Sequence, residues 1–222
     1  MNIVAVIPAY NEEQRIAAVV RDAEKYVSKV IVVDDGSADL TAAIASDEGA
    51  KVVQHAENCG AGAATMTGVK AARMLKADIV VTLDADEQHN PHDIPAMLEP
   101  IKEGKADIVF ANRFGRKNSI PVIRRFANAA GNLITFMATG KWASDSQCGF
   151  KAFGPRAVRE LDLRMSGYEF CTEIVRETAK NKWKMKEVPT KVLYSEYTLA
   201  KGQSFANGIK TAAKILIRSF LR

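Results

Sequence analysis

The sequence predicts an α/β fold: a mainly parallel sheet flanked by helices, built as a single domain. Short β-branched runs alternate with longer amphipathic stretches through the first half of the chain. Several of the short runs, such as Val30-Ile-Val-Val33, are apolar without a break, as strands must be when helices cover both faces of their sheet. The 222 residues, 47% apolar and 26% charged, suffice for one core without disulfides.

Taken in order, strands are predicted over residues 3–7, 30–33, 51–54, 79–83 and 108–111, with helices over 12–26, 38–48, 62–75 and 91–103 between them. Strands separated by helices need crossover connections, so neighbouring strands run parallel. Beyond Arg113 the pattern weakens into a loop over 115–123 and a helix over 124–138. A short strand over 149–153, a helix over 168–181 and a last strand over 188–194 follow, with Pro189 pointing to an edge position. Residues 1–204 read as one domain, with a basic amphipathic helix over 205–222 behind it.

Composition narrows the function. Cys59, Cys148 and Cys171 are odd in number and lack metal-site spacing, so reduced thiols in a cytoplasmic protein are expected. The chain enters a strand-like run at once, without a secretory signal pattern, and no apolar run approaches the roughly 20 residues of a membrane span. The net charge of +5 is uneven: from Lys182 onward nine Lys/Arg face two acids, +7, which leaves −2 for the rest. An anionic partner is expected there, or else a solvated helix face.

In a parallel sheet ligands sit beyond the carboxyl ends of the strands, and those ends are rich in acid here. Pro8-Ala-Tyr10-Asn-Glu12 follows the first strand, Asp34-Asp35-Gly-Ser the second, Asp84-Ala85-Asp86-Glu-Gln88-His89 the fourth and Asn112-Arg113 the fifth. Two carboxylates at a turning strand end can meet one hard divalent cation, which prefers oxygen ligands and bridges carboxylate to diphosphate. Each motif also has a bland reading: Asp-Gly-Ser is good turn chemistry, and the acids can cap helices. His89 is read as adjacent to the site, His55 as a strand-end residue, His92 as a surface residue, and Trp142 and Trp183 as packing residues.

The ordered set P-x-Y-N-E, V-V-D-D-G-S-x-D, N-x-G-x-G-x-A (Asn58 to Ala64), D-A-D-x-Q-H-x-P and N-R-F resembles family 2 glycosyltransferases of the Rossmann-like GT-A fold. Within that family the chain looks most like dolichyl- and polyprenyl-phosphate sugar synthases. The resemblance is strong to about residue 115, fair to about 175 and loose beyond. It implies that Pro8, Tyr10, Glu12, Asp34 and Asp35 hold the nucleoside of a GDP- or UDP-sugar. Asp84 and Ala85 would meet its ribose and diphosphate, and Asp86 and Gln88 would hold Mg²⁺ or Mn²⁺. Arg113 would bind phosphate at the donor–acceptor boundary, with Arg124 or Arg125 on the acceptor phosphate and Glu173 lining that side.

Two departures stand out. The family's D-x-x-S/T-G-F-K/R element is Asp145-Ser-Gln-Cys148-Gly-Phe-Lys151 here, and Lys201 stands where an arginine before G-x-S is usual. Lysine does not replace arginine at a bidentate phosphate site.

The implied reaction is inverting transfer of a mannose- or glucose-type sugar to a polyprenyl or dolichyl phosphate. A phosphate nucleophile is already ionised near neutrality, so it needs cations more than a base. A hydroxyl acceptor would require a carboxylate base, and Asp145 is the first candidate. In residues 205–222 an apolar stripe (Phe205, Ile209, Ala212, Leu216, Phe220) opposes Lys210, Lys214, Arg218 and Arg222. This pattern resembles a helix lying on an anionic membrane surface. The expected location is the inner membrane face, peripheral, with room for a partner membrane protein. A nucleotidyltransferase is disfavoured because its N-terminal glycine-rich loop with Arg and Lys is missing. A nucleic-acid binder is disfavoured because no aromatic-interleaved basic surface is present.

Overall fold

The computed structural model describes residues 1–116, 118 and 120–193. Among the described residues seven strands form one sheet in the order β3-β2-β1-β4-β6-β5-β7. Here β1 is Ile3–Ala9, β2 Lys29–Asp34, β3 Lys51–Gln54, β4 Ile79–Thr82, β5 Ile108–Asn112, β6 Lys151–Phe153 and β7 Met185–Pro189. All neighbouring pairs are parallel except those of β6, which runs antiparallel between β4 and β5. The predicted α/β class therefore holds. The five N-terminal strands fall within three residues of their predicted bounds.

Helices cover both faces, which is why the central strands carry no polar alternation. On one side α1 (Ile16–Glu24) buries Ile16, Val19, Val20 and Ala23 at steps of three and four residues. There α4 (Ile94–Lys102) adds Ile94, Met97, Leu98 and Ile101 to the same core. On the other side α3 (Ala61–Met74), α6 (Pro155–Glu160) and α7 (Phe170–Lys180) surround Phe110, Phe153 and Trp183. The remaining helices are α2 (Thr41–Asp47) and α5 (Val122–Thr139), and a short 3-10 turn at Pro91–Asp93 opens α4.

Three expectations are corrected. The last strand lies at 185–189 rather than 188–194, because Val188 and Pro189 close its pairing with β5. It is an edge strand, as Pro189 implied. The helix expected from residue 12 begins at Ile16, since residues 10–15 are tied to the neighbouring loop. Trp183 packs as expected, but Trp142 is 53% exposed and touches Phe136 edge-on. The predicted helix at 205–222 and Lys201 lie outside the described residues.

Candidate active site

The carboxyl ends of β1, β2 and β3 are level: Ala9 pairs with Asp34, and Asp34 with Gln54. The loops leaving them are knit together. Asn11 N–H donates to Ser37 Oγ, Ala38 N–H to Asn11 Oδ1, and Glu12 N–H to Thr41 Oγ1. Tyr10 stays 44% exposed beside the buried Glu12. Buried Asp34 accepts from Ser37 N–H at 3.1 Å and Gln54 Nε2 at 3.3 Å, so it shapes the turn.

Asp35, 3% exposed, accepts from His55 Nδ1 at 2.7 Å, Cys59 N–H at 2.9 Å and Gly60 N–H at 2.7 Å. A carboxylate offers about four acceptor directions, so one remains for an N–H of a ligand. Gly60, at φ +97°, lets this loop close: a Cβ there would run into the Ser166 carbonyl.

Beyond β4 the chain turns, and it brings Asp84 and Asp86 close enough for their charges to interact. His89 Nε2 bonds Asp84 Oδ2 at 2.8 Å, and the Asp84 side chain keeps 40% of its surface open while that of His89 keeps 1%. Burial works to raise the Asp84 carboxyl, but His89, Arg113 and Lys151 outweigh it and hold it below the usual carboxylate range. Asp86 goes the other way, raised by burial and then by the negative charges of Asp84 and Glu12. Burial would lower His89, yet the Cys148 sulfur 4.0 Å away and Asp84 carry it up to about 10. Its Nδ1 is buried with no hydrogen-bond partner among the described residues. Gly149 is essential to this packing, since a Cβ there would collide with the Asp84 carboxylate.

Because β6 is antiparallel, its entrance rather than its exit reaches this edge and brings residues 145–149 into the site. Asp145 is fully buried and accepts three bonds from Arg113: from N–H at 3.0 Å, Nε at 2.7 Å and Nη2 at 2.8 Å. Both oxygens of the one carboxylate expected as a base are thus committed to fixing an arginine. Arg124 and Arg125 lie in the first turn of α5, half-buried and exposed respectively. Glu173, 2% exposed, accepts from the backbone N–H groups of Arg164 and Met165 and holds the loop that packs on Gly60 and Gly62. One oxygen of its carboxylate, Oε2, is engaged by these two amides.

Sequence reasoning undervalued Lys151. This wholly buried lysine donates to the carbonyls of Ser146 and Cys148, and its Nζ lies 4.9 Å from the Phe110 ring centroid. It anchors the turn that carries Asp145. The available signal was a lysine inside an otherwise apolar strand.

The donor set of Asp84, Asp86 and Gln88 is all oxygen apart from the Gln amide nitrogen. Burial, and after it the negative charges of Asp84 and Glu12, raise Asp86; a hard divalent cation would favour its ionised form, so this oxygen-rich set fits Mg²⁺ or Mn²⁺. A second cluster, Asp35, His55 and Cys59, brings three potential ligand atoms within 4.8 Å of one another. It is softer, and three of the acceptor directions of Asp35 are taken by His55 and two loop amides, so it is the weaker candidate. Two hollows open near these residues: one of about 230 Å³ beside Glu12 and Asp39, the other of about 280 Å³ beside Asp86 and His89. Asp35, Asp84 and Arg113 line neither.

With this geometry in place, residues 4–161 match glycosyl transferase family 2. The chain belongs to that family. This glycosyltransferase is 36% identical to the UDP-N-acetylglucosamine–dolichyl-phosphate N-acetylglucosaminyltransferase of Methanococcus voltae, over 97% of its own length and 95% of the relative's. It is 30% identical to the undecaprenyl-phosphate mannosyltransferase of Micrococcus luteus, over 85% and 82%. Among solved structures, glucosyl-3-phosphoglycerate synthase from Mycobacterium tuberculosis, bound to Mn²⁺, UDP and glucosyl-3-phosphoglycerate, superposes with a TM-score of 0.72. At 22% identity, covering 98% of this chain and 79% of that one, the likeness shows the GT-A fold alone. No helix among the described residues is long and apolar enough to cross a membrane.

Proposed function

We propose that this glycosyltransferase moves a hexose-type sugar, N-acetylglucosamine first among the candidates, from a UDP donor to a polyprenyl phosphate of the dolichyl type. The observation that carries the acceptor reading is the three-bond clamp of Asp145 on Arg113. A hydroxyl acceptor needs a base, and the carboxylate best placed for that work is engaged. A lipid phosphate needs no base, only a fixed cation, and Arg113 is a fixed cation. The Methanococcus voltae relative, named for a UDP-sugar and a dolichyl phosphate and matched over nearly its whole length, supports the same pairing.

In this reading Asp35 takes a base N–H on its remaining acceptor direction, and Tyr10 lies against the base. Asp84 is oriented by His89 toward ribose and diphosphate. Asp86 and Gln88 would hold Mg²⁺ or Mn²⁺, which supplies Lewis-acid stabilisation of the leaving diphosphate. Arg113 steadies the acceptor phosphate for attack on the anomeric carbon with inversion, and Arg124 or Arg125 adds charge from the helix start.

The test is transfer from UDP-N-acetylglucosamine or GDP-mannose into an organic-extractable, acid-labile product with polyprenyl phosphate and Mn²⁺. Thermal shifts with UDP and GDP run in parallel. UDP-dependent lipid product is expected, and Asp86→Asn should lose both the product and the Mn²⁺-dependent part of the UDP shift. Transfer to a free sugar hydroxyl with none to the lipid phosphate would overturn the acceptor assignment.

A further inference from the structure

Helix α5 is inverted relative to an ordinary surface helix. Its 18 residues bury Asn132 and Thr135. They expose Ile123 at 75%, Phe126 at 74%, Leu133 at 51% and Met137 at 62%. These four, with Ala130 between them, recur at steps of three and four residues, so they form one continuous outward stripe. The inward seam is polar instead. Asn132 donates to the Ser144 carbonyl and accepts from Ser146, and Thr135 bonds Thr172. An apolar face of this size turned to water marks a contact surface.

Charge identifies the occupant. From residue 108 to 144 the sequence holds six Lys/Arg (Arg113, Arg116, Lys117, Arg124, Arg125, Lys141) and no Asp or Glu. An apolar stripe on a helix that carries Arg124 and Arg125, is followed by Lys141 and has no carboxylate of its own fits a bilayer containing anionic lipids. It fits a second copy of the chain poorly, because a two-fold contact would set the same cationic patch against itself. The exposed Trp142, packed on Phe136, extends the face with the kind of side chain that settles at headgroup depth. The same helix joins the site, since Arg113 Nη2 reaches Asn128 Oδ1 at 3.5 Å and Asn132 braces the segment containing Asp145.

We propose that the outward face of α5, with Trp142, lies in the surface of an anionic bilayer and brings the Arg113 wall of the groove to the level of lipid phosphates. This deepens the polyprenyl-phosphate reading and rests on it for its purpose. Vesicles without polyprenyl phosphate therefore test docking separately from transfer.

The experiment takes the full chain with vesicles of phosphatidylcholine alone or mixed equally with phosphatidylglycerol, read by co-sedimentation and tryptophan emission. Trp183 is 2% exposed and serves as a constant background, so a blue shift reports Trp142. Binding to the anionic vesicles with a blue shift is expected, and Trp142→Phe should abolish the shift. Phe126→Glu with Leu133→Glu should weaken binding by more than about tenfold, from the apolar burial they remove. Arg124→Gln with Arg125→Gln should weaken it without disturbing the apolar face. All four residues project from the surface or its margin, and unchanged melting temperatures verify the fold. Three results would overturn the proposal: wild-type binding by the double Glu variant, equal binding to neutral vesicles, or a vesicle-free dimer in light scattering whose Trp142 emission is already blue.

Discussion

Asp145→Asn is the most demanding test of the site. Asp145 has no exposed surface, and the Arg113 side chain keeps 13% of its own. Three N–H···O bonds of 2.7–3.0 Å join them. The isosteric amide can still accept through its oxygen, but its NH₂ faces a guanidinium N–H and the arginine's charge loses its counterion. Breaking one partner of a buried pair costs about 3–5 kcal/mol. For a domain of this size each kcal/mol is worth roughly 2–4 °C in melting temperature, so a drop of about 6–20 °C follows. The assay is thermal melting with urea unfolding at constant m, so that the midpoint alone reports stability. Asp162→Asn is the matched control. It removes an ion pair with Arg164 that is 60–69% exposed and should move the midpoint hardly at all. An Asp145→Asn melting point within about 2 °C of wild type would refute the buried clamp, and with it the acceptor argument.

Two further outcomes are expected. Gly149→Ala places a methyl against the Asp84 carboxylate. It should lower kcat by at least about tenfold, the factor worth 1.36 kcal/mol in the barrier, with the melting point little changed. An unchanged kcat would show that Asp84 can move aside. His89 has a folded pKa of about 10, above its ordinary 6.5. Its contribution is therefore fully present below pH 6.5 and lost as pH rises through 10. The urea midpoint should fall across that window in the wild type, and this component should vanish in His89→Asn. Identical pH profiles for the two proteins would remove the charged His89–Asp84 pair.

The first 115 residues were legible because their physics is local. Val30 to Val33 has to be a strand covered on both faces, and acids gathered after such strands have to lie on one edge. The chain beyond residue 115 was not legible in the same way. The rule that functional residues follow strands cannot find Asp145 and Gly149, which precede β6, because nothing in Lys151-Ala-Phe153 announces that this strand runs backwards. Glu173 and Asp145 were singled out as carboxylates. What they do depends on which backbone amides and guanidinium they meet, and that is set by tertiary contacts. Trp142 was read as a packing residue, whereas α5 turns its apolar side outward and carries the indole with it.

The place of β6 also governs how the polypeptide must be assembled. Both lateral neighbours of β5, namely β6 and β7, are encoded downstream of it. During synthesis, residues 108–112 emerge as an apolar segment with nothing to pair with until Lys151–Phe153 follow. The segment up to residue 115 is therefore no independent folding unit. A fragment ending near residue 115 would leave β4 with one bare edge and β5 with two, a template for association between chains. Any attempt to shorten this enzyme, or to exchange its C-terminal part with a relative's, has to cut around the 151–153 strand and not before it.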